Sequence, residues 1–501
     1  MGVASGPVNG DTPSVFGGGE QPSGRNALRV ASVAALGGLM FGYDSAVING
    51  AVAAIQRHFA ISNASLGFAV ASALLGAAAG AMTAGRLADR IGRLAVMKLA
   101  ALLFLASAIG TGLATSVWLV VVFRIVGGVG LGVASVIAPA YIAETSPPQI
   151  RGRLGSLQQL AIVLGIFLSL AVDWALAGLA GGSSAELWLG MAAWRWMFLM
   201  MAFPAIAYEL LAFTIPESPR HLVATRRIGE ARKVLSRLMG ERNLDATIER
   251  IRQTLDHEDH PSWRDLRKPG GGLLRLHGIV WVGLWLSVFQ QFVGINVIFY
   301  YSNVLWEAVG FDESASFTIT VFTSVVNIAT TLVAIALIDR IGRRPLLLVG
   351  SAGMAITLAT MAVIFGTAPQ VGGQPVLQGP AGPIALIAAN LFVVAFGMSW
   401  GPVVWVLLGE MFPNRIRAAA LGLAAAGQWA ANWLITVTFP ELRNSLGIAY
   451  GFYALCAALS FVFVLRWVRE SNGVALEDMH HEHLRDHGPG LAGAGEGQGA
   501  A

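Results

Sequence analysis

Asp89-Arg90-Ile91-Gly92-Arg93 returns in the second half of the chain as Asp339-Arg340-Ile341-Gly342-Arg343, 250 positions later. Two further pieces return in the same order. Glu144, followed by Pro147 and Ile150-Arg151, reappears as Glu410, Pro413 and Ile416-Arg417 at an offset of 266. Glu217-Ser218 reappears as Glu470-Ser471 at an offset of 253. Three ordered matches at nearly one spacing mark a duplicated unit. The offsets differ because a Gly/Pro-rich stretch, 367–381, lengthens the second copy and 178–193 lengthens the first.

Between the repeated pieces run long uncharged stretches, such as Leu99 to Phe123. Apolar residues make up 55% of the 501 positions and charged residues 12%, against roughly 25% charged in a soluble domain. Mean hydropathy is +0.64. About 20 apolar residues cross a bilayer as a helix. Twelve segments qualify, near 29–50, 66–85, 99–114, 117–142, 155–177, 195–215, 278–304, 317–338, 346–366, 382–408, 418–439 and 446–468. They are continuous Ala/Leu/Gly-rich runs and not alternating ten-residue strands, so helices are expected and a barrel is not. The repeated motifs follow spans 2 and 8, 4 and 10, and 6 and 12. The expected fold is an all-α membrane protein with twelve transmembrane helices in two six-helix pseudo-repeats. Parallel repeats of this kind place a site near the bilayer midplane.

The division that follows is a disordered tail over 1–27, a six-helix bundle over 28–216, a linker over 217–277, a second bundle over 278–470 and a disordered tail over 471–501. Within the linker, Ile228, Ala231, Val234, Leu235 and Leu238 keep helical spacing, as do Leu244, Ile248, Ile251 and Leu255, which predicts short amphipathic helices under the bundle. His480, His481 and His483 in the second tail read as solvated. The first span is too long for a signal-peptide core and is expected to be retained.

A net charge of +4 does not point to nucleic acid, because the basic residues follow the membrane topology. The connections after spans 2, 4, 6, 8 and 10 hold four, two, thirteen, three and two Lys or Arg, while the other side has only Arg57, Arg195 and Arg443. Positive residues stay in the cytoplasm, so both termini and the 217–277 linker are expected there, in a multi-pass membrane protein. One cysteine, Cys456, excludes an intrachain disulfide and a multi-cysteine metal site. No metal or cofactor is expected, and no catalytic constellation suggests an enzyme.

Charge inside a span is costly and points to function. Asp44 lies in span 1 after Gly38-x-x-x-Gly42-Tyr43, and Arg124 lies in span 4 before Gly127-Gly128. Each alone is prohibitive, so a pair is expected. A carboxylate whose proton affinity depends on the nearness of a guanidinium can load and release a proton. A static buried ion pair is the alternative. Asp173, near the end of span 5, is expected close to the outer interface and is set aside.

A second group is neutral: Gln159, Gln290, Gln291, Asn296, Asn327, Gln428 and Asn432. Amides offer donors and acceptors together, which suits a hydroxyl-rich ligand. Phe41, Trp400, Trp405 and Trp429 supply flat apolar faces for a sugar ring. The alternative is that the amides bond helix to helix. On an ideal helix Gln291 and Asn296 fall roughly 140° apart, so both face one cavity only if the helix breaks, and Gly294 is placed to allow it. The acid and Arg residues at the ends of spans 2, 4, 8 and 10 (Arg93, Glu144, Arg151, Arg343, Glu410 and Arg417) are expected to pair between helices as a gate, with topology anchoring as the alternative.

These pieces together resemble the sugar porter family of the major facilitator transporters. The resemblance rests on Gly38-x-x-x-Gly42-Tyr43-Asp44, both Asp-Arg-x-Gly-Arg loops, Pro216-Glu217-Ser218-Pro219-Arg220, Gln290-Gln291-x-x-Gly294-Ile295-Asn296 and Gly401-Pro402-x-x-Trp405. It runs from about residue 29 to 471 and looks most like the bacterial proton-linked glucose permeases. It implies that Gln159, Gln290, Gln291, Asn296 and Trp405 contact sugar, with Gln428 and Trp429 on the second half's side, and that Asp44 couples protons with Arg124 as partner. Trp400 falls outside the matched pattern. Ile166 stands where some xylose symporters have a second glutamine, which favours glucose. The expected partners are a monosaccharide, protons and the lipid bilayer, for a monomer that binds no nucleic acid. A proton-independent facilitator and a sugar sensor are the competing readings.

Overall fold

A computed structural model describes residues 24–146, 151–239, 243–256, 266, 276–371, 374–412 and 416–470. Eleven apolar helical segments are long enough to cross a membrane, and the last, Ala419–Trp467, is 49 residues long. It holds two helices, Arg417–Leu442 and Leu446–Trp467, joined by a 3-10 turn at Arg443–Ser445. At about 1.5 Å per residue each is a full crossing, which makes twelve. The strands among the described residues are a two-residue ribbon, Gln370–Val371 against Gln374–Pro375, on the long connection after span 9.

Spans 2 to 5 are single helices: Asn63–Ile91, Arg93–Gly112, Val117–Thr145 and Arg151–Ala180. So are spans 8 and 9, Glu313–Ile341 and Arg343–Thr367. Span 1 is split into Gly24–Ala46 and Ile48–Phe59, span 6 into Ala193–Met200 and Ala202–Ala212. Span 7 is split into Gly278–Phe292 and Ile295–Ala308, span 10 into Ala381–Gly397 and Trp400–Met411. Between the halves lie short helices at Pro219–Ala224, Ile228–Met239 and Leu244–Asp256. The first helix begins at Gly24, inside the stretch expected to be a disordered tail; residues 1–23 and 471–501 lie outside the described residues.

The Asp-Arg-Ile-Gly-Arg repeats are less loop-like than their charge suggests. Span 2 continues to Ile91 and span 3 starts at Arg93, with Gly92 alone between them at φ 94°. Gly342 does the same between spans 8 and 9 at φ 96°. A hydropathy window stops at the first charges, whereas a helix can run on past the membrane. Only glycine takes this φ without strain, so the turn is one residue long.

Small residues set the packing inside each half. A Cβ on Gly128 of span 4 would lie 1.9 Å from Ala73 O of span 2, and one on Gly42 of span 1 would lie 2.0 Å from Ile162 O of span 5. Such seams replace the hydrophobic drive that lipid cannot supply. We call the end of the bundle that carries Gly24 and Glu470 the terminal face and the opposite end the distal face. Among the described residues, several hydrogen bonds join the two halves toward the distal face, and Ser45 of span 1 meets the Tyr300 hydroxyl of span 7 nearer the middle of the bundle. Asn49 donates to Phe299 O (3.2 Å) and accepts from Asn303 N (3.1 Å), Arg443 donates to Gln56 (3.3 Å), and Ser183 N donates to Glu313 (2.9 Å).

Candidate functional site

Asp44 sits three residues before the split of span 1 and is fully buried, and Arg124 reaches it from span 4 at 2% exposure. One guanidinium nitrogen donates to both Asp44 O (2.9 Å) and Asp44 Oδ1 (3.3 Å). The arginine therefore grips the backbone of span 1 as well as its carboxylate. Asp44 Oδ2 and Arg124 Nε have no partner among the described residues, so the pair is not saturated. Gly127, one turn beyond Arg124, leaves room: a Cβ there would come within 2.3 Å of Ser107 Oγ and 3.0 Å of Asp44 Oδ1. A small cavity lined by Ser45, Ile48, Leu74, Arg124, Leu131 and Tyr300, among others, connects the pair to span 7.

Span 7 breaks at Gly294, which has φ 80°. The break brings the expected amides together. Asn296 Nδ2 donates to Gln291 Oε1, and Gln291 Nε2 donates to Gln290 Oε1 at 3.5 Å. Gln290 Nε2 in turn donates to Trp400 O (2.8 Å) and Gly401 O (3.2 Å), where span 10 is split. Thus the chain of amides runs from one broken helix to the other. Phe41 of span 1 meets Trp429 of span 11 across the halves, with ring centroids 6.1 Å apart. Gln159, Gln428 and Trp429 are partly exposed, Trp405 is exposed at 45%, and Asn327 and Asn432 are buried. Trp400 turns away, fully buried, its indole N–H donating to Leu347 O and Ser351 Oγ.

At the terminal face the two halves carry matching networks. Arg93 donates to Glu144 (3.1 Å) and to Ala88 O (3.1 Å), and Arg343 donates to both oxygens of Glu410 (2.8 and 3.1 Å) and to Ile338 O (3.2 Å). Glu217 accepts from the backbone N–H groups of Arg93 (3.0 Å) and Leu94 (3.1 Å), and Glu470 from those of Arg343 (2.9 Å) and Arg344 (2.9 Å). Each network binds the ends of spans 2, 3 and 4, or 8, 9 and 10, to the carboxylate that follows span 6 or span 12, and these bonds do not cross between halves. Arg151 and Arg417 begin spans 5 and 11, but their side chains lie outside the described residues.

A family model described as Sugar (and other) transporter matches residues 30–483. The chain belongs to the sugar transporter family. It is 55% identical to the glucose transport protein of Synechocystis sp., covering 90% of this chain and 96% of that one. It is 37% identical to the D-xylose-proton symporter of Escherichia coli, covering 90% and 94%. The inward-open structure of the xylose transporter from Escherichia coli superposes with a TM-score of 0.75 at 35% identity, over 91% of this chain and 99% of that one. The fold is that of the major facilitators, and the family is one of transporters and not of enzymes.

Three residues of this transporter escaped the sequence reading of the site. Glu217 and Glu470 were visible as repeats, yet their position over a helix N-terminus needs the turn at Gly92 and Gly342. Asp173, set aside as a residue close to the outer interface, is fully buried in the seam between spans 5 and 1, because Gly50 of span 1 lets the two helices close over it.

Proposed function

We propose that this transporter takes up glucose, or a related hexose, together with a proton. The observation that carries the reading is the buried, unsaturated Asp44–Arg124 pair next to the split of span 1, with a small cavity between Arg124 and Tyr300 of span 7. A guanidinium nearby favours the ionised carboxylate, and its withdrawal favours the protonated one. Movement of span 1 against span 4 thereby changes the proton affinity of Asp44. The relatives support the same reading, since one is named for glucose transport and another for proton symport of D-xylose.

In this cycle the halves 28–216 and 278–470 rock about a central sugar site as a monomer, with the linker 217–277 between them. Phe41, Gln159, Gln290, Gln291, Asn296, Asn327, Trp405, Gln428 and Trp429 line that site. The terminal face lies in the cytoplasm of a bacterium and the chain crosses the inner membrane, a reading supported by the basic residues on that face. Arg93, Glu144, Arg151, Arg343, Glu410 and Arg417 act there as gate residues by stiffening each half. With bonds between the halves toward the distal face, the conformation described is closed to the outside.

The test is uptake of labelled glucose into proteoliposomes under an imposed proton gradient, acid outside. Accumulation above the external concentration, abolished by a protonophore, is expected. Equilibration without accumulation would make the protein a facilitator, and absence of glucose counterflow would remove glucose as substrate.

A further inference from the structure

The reading above uses one buried carboxyl, and the membrane-spanning region holds another. Asp173 has no solvent exposure, the backbone N–H of Gly50 approaches its carboxylate, and neither oxygen accepts a hydrogen bond of normal geometry among the described residues. It lies against the second helix of span 1: a Cβ on Gly50 would come within 2.7 Å of both Asp173 Cβ and Oδ2. One turn back on the same face of span 5, Ser169 is equally buried with an unpartnered hydroxyl. Tyr43 of span 1 is the titratable side chain close to Asp173, and its phenol is also unpartnered.

The charged and titratable groups on the surrounding spans are engaged elsewhere. Arg124 holds Asp44. Arg57, further along span 1, donates to Ala53 O. Arg195 of span 6 donates to Gly112 O and Ala114 O and approaches His58 with its other nitrogen. Glu313 of span 8 accepts from Ser183 N. Among the described residues no cation forms a salt bridge with Asp173. An ionised carboxylate would lie in this seam without water and without a countercharge, a state so costly that such a group neutralises itself.

We propose that Asp173 is a second proton-binding site, set on the distal side of Asp44. Gly50 stands six residues past Asp44 in span 1, about 9 Å further along the helix, so a proton arriving from the distal face reaches the level of Asp173 first. One hydronium ion gives its proton to one carboxylate oxygen: an O–H bond of hydronium breaks, the carboxyl O–H bond forms, and a water molecule leaves. The neutral acid then supplies a donor to a seam that also holds the unpartnered hydroxyls of Ser169 and Tyr43.

Infrared spectra of the full-length protein in lipid nanodiscs at neutral pH test this without any sugar, so the outcome is independent of the substrate reading. A protonated-carboxyl C=O band that moves in deuterium oxide is expected from the native protein, and its intensity is expected to fall by one carboxyl in Asp173→Asn. Identical carboxyl bands in the two proteins would overturn the proposal. If the Asn variant does not fold, Asp173→Glu serves instead: the band is expected to move in frequency, and an unmoved band overturns the proposal equally.

Discussion

Asp44 and Arg124 illustrate how much a single pair can do when the membrane removes every alternative partner. Because Arg124 also holds the backbone carbonyl of Asp44, neutralising the carboxylate loosens the pair without releasing the arginine altogether. Asp44→Asn imitates the protonated acid permanently. It is therefore expected to keep sugar counterflow and to lose accumulation driven by a proton gradient, measured side by side in proteoliposomes. Since stranding a buried Arg can cost about 3–5 kcal/mol, the variant's monodispersity is checked first. Gradient-driven accumulation by a well-folded Asp44→Asn protein would exclude this residue from coupling. The amides separate by their partners. Gln290 is committed to the carbonyls at Trp400 and Gly401, so Gln290→Ala is expected to lower thermal stability as well as transport. Gln291→Ala is expected to act mainly on sugar, raising KM about tenfold, in line with about 1–3 kcal/mol for a buried bond left unmade. Equal thermal stability of the two variants would contradict this division.

The carboxylates of Glu217 and Glu470 turn a charged motif into a helix cap. Each accepts from two consecutive N–H groups at the start of spans 3 and 9, where the positive end of the helix dipole favours an anion. The same spans begin with Arg93 and Arg343, whose guanidinium groups hold the ends of spans 4 and 10 through Glu144 and Glu410. Cap and ion pair thus meet at one turn. Removing either is expected to let the span ends it joins move independently while the sugar site stays formed. Glu217→Ala should cost about 1 kcal/mol of stability, the usual worth of a cap, and slow transport. Equilibrium sugar binding to the detergent-solubilised variant should remain measurable. Turnover at the native rate in Glu217→Ala combined with Glu470→Ala would reduce both networks to anchors of topology.

Seen as two bodies, the molecule is fastened at its distal end. Asn49 is the clasp. Its amide engages Phe299 O and Asn303 N, a pair of groups four residues apart that helix geometry normally joins to each other, and it is 1% exposed. To open the distal face, span 1 must leave the second helix of span 7. Asn49→Ala removes two buried bonds at about 1 kcal/mol each, which should shift the equilibrium toward the distal-open form by roughly thirtyfold. A cysteine at Ser45 in a Cys456→Ser background reports this through its reaction with a membrane-impermeant thiol reagent added from the distal side. A several-fold faster reaction is expected in Asn49→Ala, and an unchanged rate would make the clasp incidental.

The order and number of crossings, the duplication and the partnership of Asp44 with Arg124 followed from the sequence alone. Each is a local property or a matter of necessity: a crossing needs only about 20 apolar residues in a row, and two opposite charges in lipid have little choice but each other. The break at Gly294 was legible for a similar reason, because Gln291 and Asn296 cannot share a face on an intact helix. What a polar residue does across the bundle was not legible. That Gln290 bonds to span 10, that Glu217 caps span 3, and that Asp173 is sealed from water were all decided by tertiary structure. In each case the deciding neighbour lies far away in sequence, and whether it reaches depends on how closely glycine allows two helices to approach.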